Sequence, residues 1–218
     1  MVRAPALYRL SGLALVLAAT MFIIAEIISF FIFAQQGEDY DLERIATSAI
    51  FFYQSLLTLL AGALLLGGMV GLYVRQSEAA GRVGVVGFLV AFFVTVFVEG
   101  DFYANTFVTP LVAQEAPYLL LGSPLSGIVQ VWLPFDFVLL ALGWLLLAAS
   151  TVRARVYPRA ASWILLLGAV VALVPMPLAN LPFEATLGWL GLVLLKTRED
   201  TSRRRREDKK RRGGKKRR

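Results

Sequence analysis

The chain has 218 residues, of which 58% are apolar and 17% are charged, and it contains neither Cys nor His. A soluble domain is typically about 45–50% apolar and about 25% charged, so this composition is shifted toward that of a membrane protein. The absence of Cys and His excludes disulfide frameworks, thiolate and imidazole metal sites, and catalysis by a Cys nucleophile or a Ser–His pair.

The net charge of +7 is concentrated at the C-terminus. Residues 196–218 hold fourteen of the 22 Lys and Arg residues, whereas residues 1–195 carry a slight excess of acidic groups. Composition predicts that the tail, residues 197–218, is disordered and cytoplasmic. We expect the tail to bind anionic lipid headgroups. The basic residues concerned are Arg203, Arg204, Arg205, Arg206, Lys209, Lys210, Arg211 and Arg212. Specific nucleic-acid binding is less favoured, because the tail has no aromatic residue to stack on bases.

Six apolar segments predict an all-α polytopic membrane protein, since a membrane-spanning helix needs roughly 20 apolar residues. In chain order they cover about 10–34, 45–74, 83–105, 128–151, 160–174 and 181–195. The last two are short and are separated by prolines, so we expect a tight helical hairpin, with a re-entrant pair as the alternative. The first is too long for a signal-peptide core and is predicted to remain uncleaved. Residues 1–196 thus form one six-helix transmembrane domain.

The connection 106–127 is apolar but interrupted by three prolines, at positions 110, 117 and 124. We interpret it as an external cap over the bundle rather than as a further span.

The charges of the connecting segments predict the orientation. Twenty-one of the 22 Lys and Arg residues lie in the N-terminal segment, in the connections 75–82 and 152–159, and in residues 196–218. Only Arg44 lies in the segments between them. Six crossings with both termini cytoplasmic place all these basic segments on one side of the membrane.

Five acidic residues lie in the apolar segments, and each is expensive to bury in lipid unless it has a partner, a proton or water. Three of them, Glu26, Glu99 and Asp136, each lie 17 residues from an arginine at the predicted cytoplasmic side. That separation corresponds to about 25 Å of helix, so the three acids are expected in one layer near the external face.

Polar and aromatic neighbours on the same helix faces complete a predicted outward-facing pocket. Its predicted ligand-binding residues are Glu26, Gln54, Glu99, Tyr103, Trp132 and Asp136. Carboxylates without a basic neighbour must be protonated or hold a cation, and an all-oxygen site suits a hard cation such as Na⁺, Ca²⁺ or Mg²⁺. The pocket predicts binding or transport of a small cation or solute. The alternative is that the acids only form hydrogen bonds between helices close to the headgroups.

The residues Asn180, Pro182 and Glu184 predict the start of the last helix. Glu184 is interpreted here as an acid in the first turn, at the positive end of the helix dipole.

Small residues recur at every fourth position in the second segment, at Ala63, Gly67 and Gly71. Such a stripe permits close helix packing, which we expect within the chain, with a homodimer contact as the alternative. The stripe also supports a rival function, that of a structural or accessory membrane subunit without transport.

Enzymatic activity is not expected. A Ser nucleophile would need a buried Lys or His base, which the apolar segments lack. The sequence Glu99-Gly100-Asp101 departs from the Gly-x-Gly-Asp signature of intramembrane aspartyl proteases at its first position, which is Val98 here, and no partner Tyr-Asp lies in a predicted helix. No cofactor is predicted.

The segment Tyr157-Pro-Arg-Ala-Ala-Ser-Trp-Ile-Leu-Leu-Leu-Gly168 is followed by a proline-marked turn and by Leu187-Gly-Trp-Leu-Gly191. This arrangement resembles the closing hairpin of uncharacterised bacterial six-helix membrane proteins. The resemblance implies a protein of the bacterial inner membrane, and it implies no activity, ligand or site residue.

Overall fold

The structure, a computed structural model, describes residues 4–34, 42–119, 124–171 and 178–196, with the backbone alone at 4, 5, 33, 42 and 124–137. The basic tail, including the predicted lipid-binding residues at 203–206 and 209–212, lies outside these ranges. The described chain is all-helical and has no strand, as the sequence predicts.

The helices follow one another in the order α1 to α7. They are α1 (Ala4–Ala34), α2 (Leu42–Ala46), α3 (Ala49–Tyr103), α4 (Thr109–Glu115), α5 (Pro124–Ala154), α6 (Arg159–Val171) and α7 (181–196). A π-helical turn, Ala104–Val108, joins α3 to α4, and a 3₁₀ turn, Pro117–Leu119, follows α4.

Helix α3 is a hairpin of two helical arms, residues 49–80 and 82–103, which meet at Gly81. Gly81 has φ 57° and ψ −152°, a backbone conformation that only glycine adopts without strain. Tyr73 of the first arm stacks on Phe88 of the second, with ring centroids 4.4 Å apart. Further along, Gly62 touches the Glu99 carboxylate. The arms therefore run antiparallel, since both pairs are nearly equidistant from Gly81.

The helix boundaries differ from the predicted ones around this hairpin. The segment predicted at 45–74 begins at Ala49, where the Ser48 Oγ caps the helix by accepting a 3.3 Å hydrogen bond from the Phe51 N–H. It then continues to residue 80, so the predicted connection 75–82 is almost entirely helical. The predicted external cap 106–127 begins with helix as far as Glu115.

The core lies where α1, both arms of α3, α5, α6 and α7 meet. Its fully buried side chains include Leu15, Met69, Leu147, Leu165 and Leu187. Glycines let the backbones approach closely at the crossings. A Cβ added at Gly191 of α7 would lie 2.7 Å from the Gly12 carbonyl oxygen of α1, and one at Gly143 of α5 would lie 2.8 Å from the Ala91 Cα.

The predicted small-residue stripe packs only in part. Gly71 is buried against Ser11 of α1, as expected for intramolecular packing. Ala63 and Gly67 are exposed, and a Cβ added at Gly67 meets nothing within 4 Å, but the Gly67 carbonyl accepts a 2.9 Å hydrogen bond from the Ser11 hydroxyl of α1. Gly68, which packs on Leu15, lies on the contacting face instead.

One end of the bundle, the basic end, gathers several arginine-bearing segments. The Arg75 guanidinium lies 4.8 Å from the centroid of the Tyr157 ring and donates a 3.2 Å hydrogen bond to the Val193 carbonyl of α7. Tyr157 in turn donates a 3.0 Å hydrogen bond to the Leu72 carbonyl. The connections 75–82 and 152–159 are therefore neighbours at the same end.

Within the described residues, two helices are long and apolar enough to cross a membrane, namely Ala6–Ile32 and the run Ala49–Glu115, which contains Gly81. Two others, Val138–Ala154 and Arg159–Val171, are apolar but shorter. By length and composition, these helices favour a membrane location for the protein.

Candidate functional site

A cavity of about 300 Å³ lies in the half of the bundle remote from the basic end. It is enclosed by α1, both arms of α3, α5, and α7 with the turn that precedes it. Its lining residues are Phe22, Ala25, Glu26, Gln54, Thr58, Gly62, Leu65, Thr95, Val98, Phe102, Leu140, Trp144, Asn180, Phe183, Glu184 and Leu187. Its volume is at the lower end of the range for small-molecule sites, about 300–1,000 Å³.

Glu26 projects from α1 into this cavity and is tied to the turn before α7. Its Oε1 accepts a 3.0 Å hydrogen bond from the backbone N–H of Leu178. Leu178 has φ 64°, a left-handed conformation that costs a non-glycine residue roughly 1–2 kcal/mol. The hydrogen bond to an acidic side chain offsets part of this strain, so Glu26 helps to fix the α7 turn as well as to line the cavity.

Glu184 is the second acid in the cavity wall. Its side chain is only 6% exposed, and its Oε2 is buried without a hydrogen-bond partner among the described residues. The residue does lie in the first turn of α7, where the sequence predicts a helix start, and its backbone N–H donates to the Asn180 carbonyl at 3.0 Å. Its carboxyl group, however, faces the cavity, which the dipole interpretation did not anticipate.

The third acid, Glu99, lies beside the cavity rather than among its lining residues. It is half-buried on the second arm of α3, and its carboxylate touches Gly62 of the first arm, which does line the cavity. Its Oε1 is buried without a hydrogen-bond partner among the described residues. Two of the predicted acids, Glu26 and Glu99, therefore border the same region of the bundle.

Hydroxyl and amide groups add further oxygen acceptors. Thr58 and Thr95 donate to carbonyls of their own arms, Gln54 and Ala91, at 3.0 and 2.7 Å. Because those bonds use the hydroxyl protons, the oxygen lone pairs remain to accept from a ligand. Gln54 lines the cavity as predicted, and its Nε2 lies 3.5 Å from the Thr58 Oγ1.

Aromatic rings form much of the remaining wall. Trp144 and Phe183 meet edge to face, with centroids 5.0 Å apart, and Phe22 faces Phe102 at 6.4 Å. Ring faces attract cations through their quadrupoles. The sequence did not single out these four rings, because aromatic residues at helical spacing in an apolar segment do not distinguish a ligand site from a core.

The other predicted site residues have different positions. Tyr103 is 56% exposed and packs on Phe107, with centroids 5.1 Å apart, and it is not among the residues that line this cavity. Trp132 and Asp136 are on α5, in the stretch whose side chains lie outside the described part of the structure.

The cavity lining carries acidic side chains, and no Lys or Arg among its described residues neutralises them. The described acids also form no cluster of three that could hold a metal ion. Carboxyl groups suit a positively charged ligand, and the aromatic walls suit a small organic cation in particular.

The fold and the cavity define an all-helical protein with a ligand-sized acidic site between apolar helices. Comparison of the chain with protein-family models, with curated proteins and with solved structures finds no match.

Proposed function

We propose that the protein is a six-span membrane protein that binds a small organic cation in this cavity, from the external side, for transport or uptake. The observation that carries the proposal is the pair of acids, Glu26 and Glu184, in one aromatic-walled cavity whose described lining has no basic residue. Uncompensated carboxyl groups attract a positive ligand, and aromatic walls favour an ammonium group.

Six crossings are supported by the geometry of α3 and by the basic end. Gly81 divides the long apolar run into two antiparallel arms of 32 and about 22 residues, each long enough for one crossing. The six passes proposed here are these two arms together with α1, α5, α6 and α7. The neighbouring positions of the connections 75–82 and 152–159 agree with a single cytoplasmic side.

The resemblance of residues 157–191 to bacterial six-helix membrane proteins supports a location in the bacterial inner membrane. In this arrangement both termini are cytoplasmic, and the basic tail lies against anionic headgroups of the inner leaflet.

A second candidate function is supported by the exposed part of the small-residue stripe. Ala63 and Gly67 are accessible on the outer surface of the first arm, where a second membrane helix can approach closely. A structural or accessory subunit would use this face for association and would not need the acidic cavity.

A ligand-dependent melting experiment tests the proposed function. We expect choline to raise the melting temperature of the purified full-length protein in a saturable manner, by the equivalent of about 2.7 kcal/mol at 100 times its Kd. Its uncharged isostere 3,3-dimethylbutanol should have little effect. Methylammonium extends the series to a smaller amine, and putrescine extends it to a diamine with two positive charges.

The double variant Glu26→Gln, Glu184→Gln is expected to weaken this stabilisation at least tenfold. Glutamine at position 26 keeps an oxygen that can accept the hydrogen bond from Leu178, so the fold should be retained. The double variant Glu43→Gln, Glu115→Gln, at exposed residues of α2 and α4, is the charge-matched control and should behave as wild type. An absence of stabilisation by all the amines, or equal effects of the two substitution sets, would contradict cation binding here.

A further inference from the structure

A second pocket lies at the basic end, on the turn between α5 and α6. Its volume is about 440 Å³. The arginine turn, residues 153–159, supplies three arginines to it, and α6 adds a hydroxyl and an indole. The lining residues are Val152, Arg153, Arg155, Tyr157, Arg159, Ser162 and Trp163.

The Tyr157 side chain anchors the arginine turn to the first arm of α3. This side chain is only 4% exposed, its hydroxyl donates to the Leu72 carbonyl at 3.0 Å, and the Arg75 guanidinium covers its ring. Burial raises the pKa of Tyr157, so the hydroxyl keeps its proton and remains a donor throughout the physiological pH range. The anchor is therefore independent of pH in that range.

Backbone strain accompanies this anchoring. Arg155 has φ 55°, a left-handed conformation that a non-glycine residue adopts only when its surroundings enforce it. The Arg155 N–H donates to the Thr151 carbonyl at 3.3 Å, which closes the end of α5. A fixed turn lowers the entropic cost of binding, because the three arginines are already presented at one pocket.

The charges of the pocket are not neutralised within the described part of the chain. No described carboxylate forms an ion pair with Arg153, Arg155 or Arg159. Guanidinium groups present paired donors that match phosphate oxygens, often in bidentate fashion. The charge and donor set of the pocket therefore suit a phosphate-bearing anion.

The surface next to the pocket indicates where that phosphate would come from. Trp163 is 52% exposed at the pocket rim, and Leu167 and Val170 continue an exposed apolar face along α6. Tryptophan is enriched where the polar headgroups meet the acyl chains of a membrane. An apolar face that begins at a cluster of arginines matches a lipid, with its phosphate on the arginines and its acyl chains along α6.

We propose that the arginine turn is a binding site for the phosphate group of an anionic phospholipid, separate from the basic tail and from the acidic cavity. The site requires a membrane location but does not depend on cation binding. The variant Glu26→Gln, Glu184→Gln should therefore leave it unchanged.

The test is the melting temperature of full-length protein in zwitterionic detergent micelles, titrated with dioctanoyl-phosphatidylglycerol. We expect saturable stabilisation of the wild type and at least a tenfold loss of apparent affinity when Arg153, Arg155 and Arg159 are all replaced by Gln. Replacement of Arg203, Arg204 and Arg205 by Gln removes the same charge from the tail and should have less than a threefold effect. Dioctanoyl-phosphatidylcholine should stabilise neither protein.

A second variant is the control for a loss of folding or of membrane orientation in the Gln triple variant. Replacement of the same three arginines by Lys keeps the charge, and we expect a three- to tenfold weaker response because bidentate contacts are lost. Equal titrations for wild type and the Gln triple variant, or an equal loss in the tail variant, would overturn the proposal. Equal stabilisation by inorganic phosphate would overturn the assignment to a lipid.

Discussion

Replacement of Gly81 by alanine is expected to lower the free energy of unfolding by about 1–3 kcal/mol. Nothing lies within 4 Å of a Cβ added at this position, so the loss does not come from crowding. It comes from the backbone, since φ 57° and ψ −152° bring a side chain into conflict with its own main chain. The hairpin of α3 depends on this single residue, and a strained hairpin would also loosen the contact between Gly62 and Glu99.

A matched control separates this effect from a general response to added side chains. Gly67→Ala also places a methyl group in open space, but Gly67 is helical. Alanine in a helix is favoured over glycine by roughly 0.5–1 kcal/mol, so this variant should be neutral or stabilised. Thermal unfolding in the same detergent should show a loss of stability for Gly81→Ala and no loss for Gly67→Ala. A Gly81→Ala protein as stable as Gly67→Ala would show that Gly81 does not form the turn described here.

The second large effect is expected at the crossing of α5 with the second arm of α3. A Cβ added at Gly143 would lie 2.8 Å from the Ala91 Cα and 3.0 Å from the Ala91 nitrogen. These are backbone atoms, which cannot rotate away, so Gly143→Leu must separate the two helices. Overpacking typically costs about 1–3 kcal/mol, and a whole Leu side chain against backbone should reach the upper part of that range.

Gly67→Leu is the control for side-chain size, because the same side chain then projects from the surface of the first arm. Thermal unfolding should show that Gly143→Leu lowers the free energy of unfolding by at least about 1.5 kcal/mol more than Gly67→Leu does. Similar melting temperatures for the two Leu variants would contradict the close approach of α5 and α3. A reduced amine response in Gly143→Leu alone would be expected as well, since Trp144 of α5 lines the cavity.

The all-α class could be read from the sequence because long apolar segments without strand-like alternation leave few other folds. The residue at which the second helix ends could not be predicted from the apolar pattern in this way. Hydropathy falls at Arg75, Gln76 and Ser77, but polar residues and the alanines after them are compatible with helix, so the helix continues to Gly81. Hydropathy marks where an apolar surface ends, whereas a residue such as Gly81 marks where the helix itself ends.

Helical drift explains why Tyr103 does not share the cavity wall with a residue two turns earlier on the same arm. A step of four residues rotates the side chain by about 40°, so Thr95, Glu99 and Tyr103 turn progressively away from a common direction. Thr95 is buried in the cavity wall, Glu99 is half-buried and Tyr103 is exposed. The same drift leaves the Ala63 side chain exposed, whereas Gly71 packs on α1.

Glu184 lies in the first helical turn as predicted, but its position in the cavity wall was not predicted, for a different reason. A position in the first turn of a helix is a sufficient local explanation for an acid, and it requires no further role. Glu184 and Gly191 are seven residues apart on one helix face, and Gly191 lies at the crossing of α7 with α1, which carries Glu26. A tertiary contact of this kind becomes apparent only when the helices are packed.

The absence of cysteine from the chain makes the central claim directly testable by introduced thiols. In right-side-out membrane vesicles, a membrane-impermeant cationic thiol reagent should modify the cavity variant Thr58→Cys and the α4 variant Gln114→Cys. The basic-end variant Glu78→Cys should react only in inverted or permeabilised vesicles. This pattern would place the acidic cavity and the arginine-rich connections on opposite sides of the membrane. Modification of Thr58→Cys and Glu78→Cys from the same side would contradict an outward-facing cation site.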